Sequence, residues 1–190
     1  HVAHLGLETP TVVVITLDTT RRDAVFGPDR EGVTPHLDEL ATRATRCDPA
    51  AATAPWTLPT HASMFTGLYP SRHGAGVTDV ALDPGATTLA EVVRDAGFFT
   101  AGFVGGSLAS SEFGLAQGFL AFGEPSGMQR PGRDITPWAV QAIETADQAP
   151  LLLFLNYFDP HAPYEAEPEF RDRFDVDALA RELPPGPVRD

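Results

Sequence analysis

The chain has 190 residues, of which 26 are acidic and 13 basic, and its formal net charge is −13. This acidity argues against nucleic acid as a general electrostatic partner, because an acidic surface repels a phosphate backbone. The length is enough for one domain without disulfide bridges, and the single Cys47 has no second cysteine with which to form a bridge. No apolar run approaches the ~20 residues that span a bilayer, so we expect no membrane segment in this chain.

The first predicted element is a strand over residues 11–17, which are β-branched and almost wholly apolar. This composition is typical of a central parallel strand covered on both faces. Asp18 falls at its carboxyl end, where ligands gather in open α/β sheets. Thr34-Pro35 then predicts a helix to about Ala44 that packs against the sheet. The stripe expected to face the sheet consists of Leu37, Leu40 and Ala41.

A short helix is predicted next, with Thr57 at its start and Thr66-Gly67 at its end. The unpaired backbone N–H groups of a first helical turn and the helix dipole favour an anionic group there. A Thr at a helix start can equally cap those N–H groups, and this is its commonest use. The residues of this helix alone favour the capping interpretation.

Another helix is predicted from Thr88, because Thr88 and Glu91 have the spacing of a capping box and Gly97 is a typical helix end. The apolar residues of this segment predict a core-facing stripe, which consists of Leu89, Val92 and Val93.

The remaining predicted elements are a strand over 98–104, a loop with a short helix over 105–133, a helix over 136–146 and a strand over 151–157. This alternation of strands and helices predicts an α/β fold with a helix-flanked, mostly parallel β-sheet. Residues 183–190 are rich in Pro and are predicted to be a tail or linker.

Three segments, in this order along the chain, resemble the sulfatase family of the alkaline phosphatase superfamily. They are residues 12–18 (VVVITLD), 54–74 (APWTLPTHASMFTGLYPSRHG) and 159–164 (DPHAPY). In that family a Cys or Ser begins a Cys-X-Pro-Ser-Arg core, and Thr-Gly follows. The resemblance implies that residues 1–182 are the amino-terminal part of a sulfatase-like α/β domain, which this chain leaves incomplete.

The resemblance implies that Asp18 is a ligand of one divalent metal ion, which could be Ca²⁺, Mg²⁺, Mn²⁺ or Zn²⁺. Thr57 stands where sulfatases carry the Cys or Ser that becomes formylglycine. Thr cannot form that aldehyde, so Thr57 would act through its own hydroxyl, as an alkoxide nucleophile that also binds the metal. Nucleotide pyrophosphatases, phosphoethanolamine transferases and lipoteichoic acid synthases of the superfamily use a Thr in this way.

Two histidines complete the implied site. His61 stands where the sulfatase core has Arg and lies four residues after Thr57, on the same helical face, where it could contact the bound anion. Imidazole titrates near neutrality, so this contact would depend on pH. His161 matches the family's His that contacts the transferred group or protonates the leaving oxygen. The alternatives are that His61 packs within its helix and that His161 is an ordinary surface residue.

Two departures from the family pattern weaken the case for ordinary sulfate-ester hydrolysis. The usual Lys-X-His aligns near Gly105-Gly106-Ser107, so both of its side chains are missing. The Asp-Asn or Asp-His pair that completes the metal site has no match after His161, and Asp172, Asp175 and Asp177 lack the right context.

The leading hypothesis is a metal-dependent hydrolase of sulfate or phosphate esters that acts on a small molecule or a glycan, with this chain as part of a larger enzyme. One alternative is a non-catalytic sulfatase-like scaffold that binds an anionic glycan or a protein. Another alternative is a phospho-headgroup transferase. The sequence leaves the compartment and the oligomeric state open.

Overall fold

The structure is a computed structural model that describes residues 10–27, 32–164 and 168–171. Its four strands form one parallel sheet in the order β1-β4-β2-β3, which confirms the predicted α/β fold. The strands are β1 (Thr11–Leu17), β2 (Phe99–Val104), β3 (Ala121–Gly123) and β4 (Leu151–Tyr157). The helices in the described ranges are α1 (Arg22–Phe26), α2 (Pro35–Ala41), α3 (Thr57–Thr66), α4 (Pro70–His73), α5 (Leu89–Asp95), α6 (Gly132–Ala146) and α7 (Pro168–Arg171).

β4 is a central strand of the sheet, and this position accounts for its almost wholly apolar sequence. It lies between β1 and β2, and its residues from Leu151 to Asn156 are all buried. Because successive side chains of a strand point to opposite faces, both faces of β4 need apolar residues. Leu153 and Leu155 pack on the α6 side, whereas Phe154 packs on the α3 side. The sheet is therefore covered by helices on both faces.

Each covering helix presents a narrow stripe to the sheet. In α6 the buried positions recur at helical spacing and are mostly Ala, which lets the helix approach the strands closely. These positions are Ile135, Ala139, Ala142 and Ala146. On the opposite face, Leu58, Ala62 and Phe65 of α3 pack with Phe154. Full burial of each large apolar side chain contributes about 1.5–3 kcal/mol.

The prediction that the first strand is central and covered on both faces was wrong for the part of the chain that the structure describes. The bounds of β1 match the prediction, but β1 is an edge strand that pairs only with β4 there. Ile15 is 55% exposed, and Val12 and Val13 are also exposed. An apolar β-branched run predicts a strand well, but it does not specify the strand's place in the sheet.

Two helix predictions also need correction. α2 ends at Ala41 and has no buried residue, so its predicted packing against the sheet was wrong. α5 has the predicted capping box, but its buried residue is Ala90, whereas Leu89 and Val92 are exposed. Both helices have seven residues, and two turns are too short for periodicity to decide which face is buried.

The loop before α6 contains structure that local signals did not show. β3 and two 3₁₀ helices, Ser107–Ala109 and Ser111–Phe113, lie within the segment predicted as a loop with a short helix. α6 begins at Gly132, one turn before the predicted start, because the Asp159 carboxylate accepts the Gly132 N–H at 3.0 Å. A partner 27 residues away supplies this helix start.

Several predictions fall outside the described ranges, namely the tail over 183–190 and the context of Asp172, Asp175 and Asp177. Among the helices that the structure describes, none is both long and apolar enough to cross a membrane.

Candidate active site

Asp18 and Thr57 meet at the carboxyl edge of the sheet. The Thr57 hydroxyl donates to Asp18 Oδ2, with Oγ1 and Oδ2 3.3 Å apart. Asp18 directly follows β1, and its backbone N–H donates to Tyr157 O at 2.9 Å, which ties it to the end of β4. Thr57 is the first residue of α3 and is 8% exposed. Chain segments 39 residues apart thus bring a hydroxyl and a carboxylate together.

Thr57 does not cap its helix. The N-cap of α3 is Trp56, which is extended and makes no side-chain cap, while the Thr57 hydroxyl turns towards Asp18. Pro59 is tolerated here because a first-turn residue would have no intrahelical use for its N–H. At the other end, Gly67 adopts the left-handed conformation with φ of 70° and closes the helix. The amino end of α3 therefore has no side-chain cap, an arrangement that favours an anion at a helix start.

Asn156 is a buried amide beside this pair. It is the sixth residue of β4, and its side-chain nitrogen donates to Thr16 Oγ1 at 3.0 Å and lies 3.5 Å from Asp18 Oδ2. Its side-chain oxygen accepts the Gly106 N–H at 3.2 Å. Sequence reasoning missed Asn156. The available signal was a polar residue near the carboxyl end of an otherwise apolar strand.

His61 lies behind Thr57, inside the protein. Its Nδ1 is 2.8 Å from the Thr57 carbonyl oxygen, which can only accept, so Nδ1 carries a proton. Its Nε2 is 3.5 Å from Thr16 Oγ1, and the ring packs edge-on against Phe154. Burial lowers the pKa of His61, against the opposing effects of the Thr57 carbonyl and Asp18. His61 is 5% exposed, so its contact with a substrate anion stays a prediction.

His161 lies on the loop after β4, next in space to the loop that carries Asp18. The two loops are joined by a hydrogen bond from Thr19 Oγ1 to Pro160 O at 3.1 Å. The His161 ring stacks on Phe158 at 4.1 Å, and its Nδ1 donates to Ala162 O at 2.7 Å. Nε2 is then the nitrogen through which His161 can exchange a proton with a ligand.

The Gly105-Gly106 segment, where the sulfatase Lys-X-His aligns, is packed too closely for side chains. A Cβ at Gly106 would lie 2.6 Å from the Phe158 ring, and one at Gly105 would lie 3.0 Å from Asn156 O. Phe158 in turn supports His161. The close packing of this turn against Phe158 thus helps to hold the ring on which His161 stacks.

The oxygens of Asp18 and Thr57 are of the kind that a hard divalent cation prefers. Within the described residues no group of three or more His, Cys, Asp or Glu could hold a metal. The two oxygens therefore fit the predicted metal in kind, and their role as ligands stays a prediction.

A second pair of a hydroxyl residue and a histidine, Ser63 and His73, lies on α3 and α4 and has a structural role. His73 Nδ1 accepts the Ala75 N–H at 3.2 Å, so its Nε2 carries the proton and donates to Ser63 Oγ at 3.0 Å. A histidine that donates to a serine cannot remove that serine's proton. The pair is buried and joins α4 to α3.

Comparison with known proteins identifies the family. The sequence model of the family described as Sulfatase matches residues 10–180. The chain belongs to the Sulfatase family. It is 34% identical to an ulvan-active sulfatase of Formosa agariphila over 93 residues. The aligned stretch covers 48% of this chain and 18% of that protein. It is 32% identical to an N-acetylgalactosamine-6-O-sulfatase of Bacteroides thetaiotaomicron over 77 residues. That aligned stretch covers 38% of this chain and 15% of the relative.

Solved structures show the same fold. A protein bound to its substrate D-glucosamine-2-N,6-O-disulfate has a TM-score of 0.72 at 19% identity, over 95% of this chain and 39% of that chain. The lipoteichoic acid synthase LtaP of Listeria monocytogenes has a TM-score of 0.72 at 17% identity, over 92% and 46%. A phosphonate monoester hydrolase of Silicibacter pomeroyi has a TM-score of 0.70 at 18% identity, over 94% and 46%. This sulfatase-family chain thus spans less than half of each of these proteins.

Proposed function

We propose that the protein is a metal-dependent hydrolase of sulfate or phosphate esters in which Thr57 is the nucleophile and Asp18 and Thr57 bind the metal. The observation that carries the proposal is the Thr57 hydroxyl, held 3.3 Å from the Asp18 carboxylate at an uncapped helix start. A threonine that served only the helix would face its own backbone. This one faces a carboxylate at the ligand-binding edge of a parallel sheet.

The proposed reaction has two steps. Thr57 Oγ1 attacks the central sulfur or phosphorus, its proton leaves along the hydrogen bond to Asp18 Oδ2 and passes to solvent, and the bond to the ester oxygen breaks. His161 Nε2 donates a proton to that leaving oxygen. Water then cleaves the Thr57 ester, releases sulfate or phosphate and restores the hydroxyl. A bound divalent cation would lower the pKa of the hydroxyl and offset the charge of the anion.

Two arguments about the substrate point in different directions. The two sequence relatives are named as an ulvan-active sulfatase and an N-acetylgalactosamine-6-O-sulfatase, which supports a sulfated saccharide. A sulfated threonine, however, cannot expel sulfate by collapse to an aldehyde and must wait for water, whereas phosphothreonine is easier to clear. We therefore propose that the site accepts an ester of a tetrahedral oxyanion and that phosphate or phosphonate esters turn over faster than sulfate esters.

We propose that His61 acts on Thr57 and not on the anion. Its Nδ1 is committed to the Thr57 carbonyl, and its ring is held between that helix and Phe154. Direct contact with the anion would have to come through Nε2, which faces Thr16 at 3.5 Å on a ring that is 5% exposed. In its observed place His61 fixes the helix turn that presents the nucleophile.

The test uses the full-length protein with Mg²⁺, Mn²⁺, Ca²⁺ or Zn²⁺ and the 4-nitrophenyl esters of sulfate, phosphate, phosphate diester and phenylphosphonate. Thr57→Ala should abolish turnover of whichever ester the wild type hydrolyses. The matched control is Thr60→Ala, which removes a hydroxyl from the same helix where it bonds only Ala54 O at 2.9 Å. Equal turnover by wild type and Thr57→Ala would remove Thr57 from the mechanism.

A second candidate, a non-catalytic scaffold that binds an anionic glycan or protein, is favoured by the Gly105-Gly106 turn. By the resemblance, Gly105 stands in the place of the family's Lys and Ser107 in the place of its His, so this chain lacks the two side chains that would clamp a sulfonyl group. Calorimetric titration of the full-length protein with the four metals separates the candidates. Binding supports the hydrolase, and its absence supports the scaffold.

A further inference from the structure

We infer that Asn156 is a positioning residue, which with Thr16 and His61 sets the separation between the Asp18 carboxylate and the Thr57 hydroxyl. The inference rests on the proposed function, because the two groups that it positions are those of the proposed reaction. It assigns a role to the buried Asn156 of β4 and the half-buried Thr16 of β1, two strands whose sequences are mostly apolar.

The orientation of the Asn156 amide is fixed by its neighbours. Gly106 N–H is a donor at 3.2 Å, so the side-chain oxygen must face it. The NH₂ group therefore faces Thr16 Oγ1 at 3.0 Å and Asp18 Oδ2 at 3.5 Å. Because two donors point at this edge, Asn156 holds the carboxylate as a hydrogen-bond donor and does not serve as a metal ligand.

The hydrogen bonds of Asn156 form a network with two arms. The first, direct arm runs from the Asn156 amide to Asp18. Asn156 approaches Oδ2, which is the same carboxylate oxygen that accepts the Thr57 hydroxyl. Asn156 is fully buried in the central strand, so its amide has no alternative partner in water. The rigid sheet is thereby connected to the atom on which the proposed chemistry depends.

The other arm reaches Thr57 through its backbone. Thr16 Oγ1 accepts from Asn156 and lies 3.5 Å from His61 Nε2, with the Leu155 carbonyl as an alternative acceptor at 3.4 Å. His61 Nδ1 then donates to the Thr57 carbonyl at 2.8 Å. The amide of Asn156 thus connects both ends of the Asp18 and Thr57 pair. Misplacement of reacting groups by about 1 Å can cost about 100-fold in rate.

The experiment compares Asn156→Leu and Thr16→Val with Thr100→Val in the full-length protein. Leu is close to Asn in size, and Val is close to Thr. Thr100 is a matched control because it is fully buried in β2 at the opposite end of the sheet, where its hydroxyl donates to Gly118 O at 2.9 Å and accepts Leu120 N–H at 3.0 Å. All three changes remove a hydrogen-bonded polar group, which is buried at Asn156 and Thr100 and half-buried at Thr16.

The readouts are kcat, KM, Mn²⁺ affinity by calorimetry, and the urea midpoint. Asn156→Leu should lower kcat or Mn²⁺ affinity by about 10–100-fold, the usual effect of losing a group that orients a ligand. Thr16→Val should lower kcat by about 10-fold, since it leaves the direct arm intact. Thr100→Val should lower the urea midpoint comparably and leave kcat and Mn²⁺ affinity unchanged. Losses in Asn156→Leu and Thr16→Val no larger than those in Thr100→Val would overturn the inference.

A structural readout separates this inference from the proposed function. If the wild type neither binds Mn²⁺ nor hydrolyses any probe ester, the proposed function fails. Crystal structures of the variants then decide the positioning role. A longer distance between Thr57 Oγ1 and Asp18 Oδ2 in Asn156→Leu, but not in Thr100→Val, supports it, and an unchanged distance overturns it. Should Asn156→Leu not fold, Thr16→Val is subject to the same criterion.

Discussion

Two helices of this protein begin at a buried threonine, and the two hydroxyls are used differently. Thr88 is the N-cap of α5: its hydroxyl accepts the Glu91 N–H at 3.2 Å, and the Glu91 carboxylate accepts the Thr88 N–H at 2.9 Å. Thr57 is already inside α3, and its hydroxyl donates to Asp18 across the edge of the sheet. The start of α5 is capped by its own side chains, and we call it closed, whereas the start of α3 has no side-chain cap, and we call it open.

The difference lies in the N-cap and in the third residue after it. The N-cap Thr88 is followed by Glu91, which completes a reciprocal cap, and the Thr88 hydroxyl also donates to Gln117 O at 3.0 Å. The N-cap of α3 is Trp56, which makes no side-chain cap, and the third residue after it is Pro59, whose side chain cannot accept or donate a hydrogen bond. A closed cap stabilises a helix, whereas an open one can bind an anion. We therefore expect Thr88 to stabilise its helix and Thr57 to take part in the proposed reaction.

The largest expected effect is on turnover. Thr57→Ala should lower kcat at least about 1,000-fold if the hydroxyl is the nucleophile, because such a group has no substitute. The same change should alter the free energy of unfolding by less than about 1 kcal/mol, since no cap is lost. Measurement of kcat and urea unfolding on one preparation checks both. A large loss of stability with normal kcat would reverse the assignment.

The next effect is on metal affinity. Asp18→Asn keeps the shape of the side chain and removes its charge, so Mn²⁺ affinity should fall by about 100-fold or more. Asp95→Asn on α5 is the control, because it makes the same change of net charge at an exposed residue that pairs with Arg94. Calorimetry on the full-length protein measures both. Equal affinities would show that Asp18 is not a ligand.

A smaller effect is expected at the closed cap. Thr88→Ala should lower the free energy of unfolding by about 1 kcal/mol and leave kcat unchanged, the opposite of the pattern for Thr57→Ala. Thr88→Ser, which keeps the hydroxyl, should recover most of that loss. Urea unfolding with a parallel kcat measurement tests this, and a fall in kcat with normal stability would contradict it.

Much of the fold could be predicted because its signals are local. The strands over 11–17 and 151–157 and the cap at Thr88 depend on residues next to one another in sequence, and the structure confirms them. The edge position of β1 and the early start of α6 depend on distant partners. For α6 that partner is Asp159, and no pattern around residue 132 reveals it.

The candidate site divides in the same way. Asp18, Thr57 and His161 follow from short motifs, and the structure places Asp18 and Thr57 within hydrogen-bonding distance. Asn156 and Thr16 were missed because each is an isolated polar residue in an apolar strand, and their meaning depends on contact across 140 residues of chain. Sequence periodicity reports that a residue faces the interior, but not which polar group it meets there.

The smallest expected effect concerns acid, and it should occur only at the closed helix start. The Thr88 N–H, followed by Gln117, holds the pKa of Glu91 below its usual value. Because the folded pKa is lower than the unfolded one, this contribution to stability is complete above about pH 4.5 and is lost as the pH falls through the folded pKa. Glu91→Gln should therefore flatten the dependence of unfolding free energy on pH in this range. Glu112→Gln, at an exposed site, is the control. Since α3 has no acidic residue in its first turn and the Thr60 hydroxyl bonds a backbone carbonyl, Thr60→Ala should leave the acid dependence unchanged, and a change there would show that the two helix starts are not as different as their hydrogen bonds indicate.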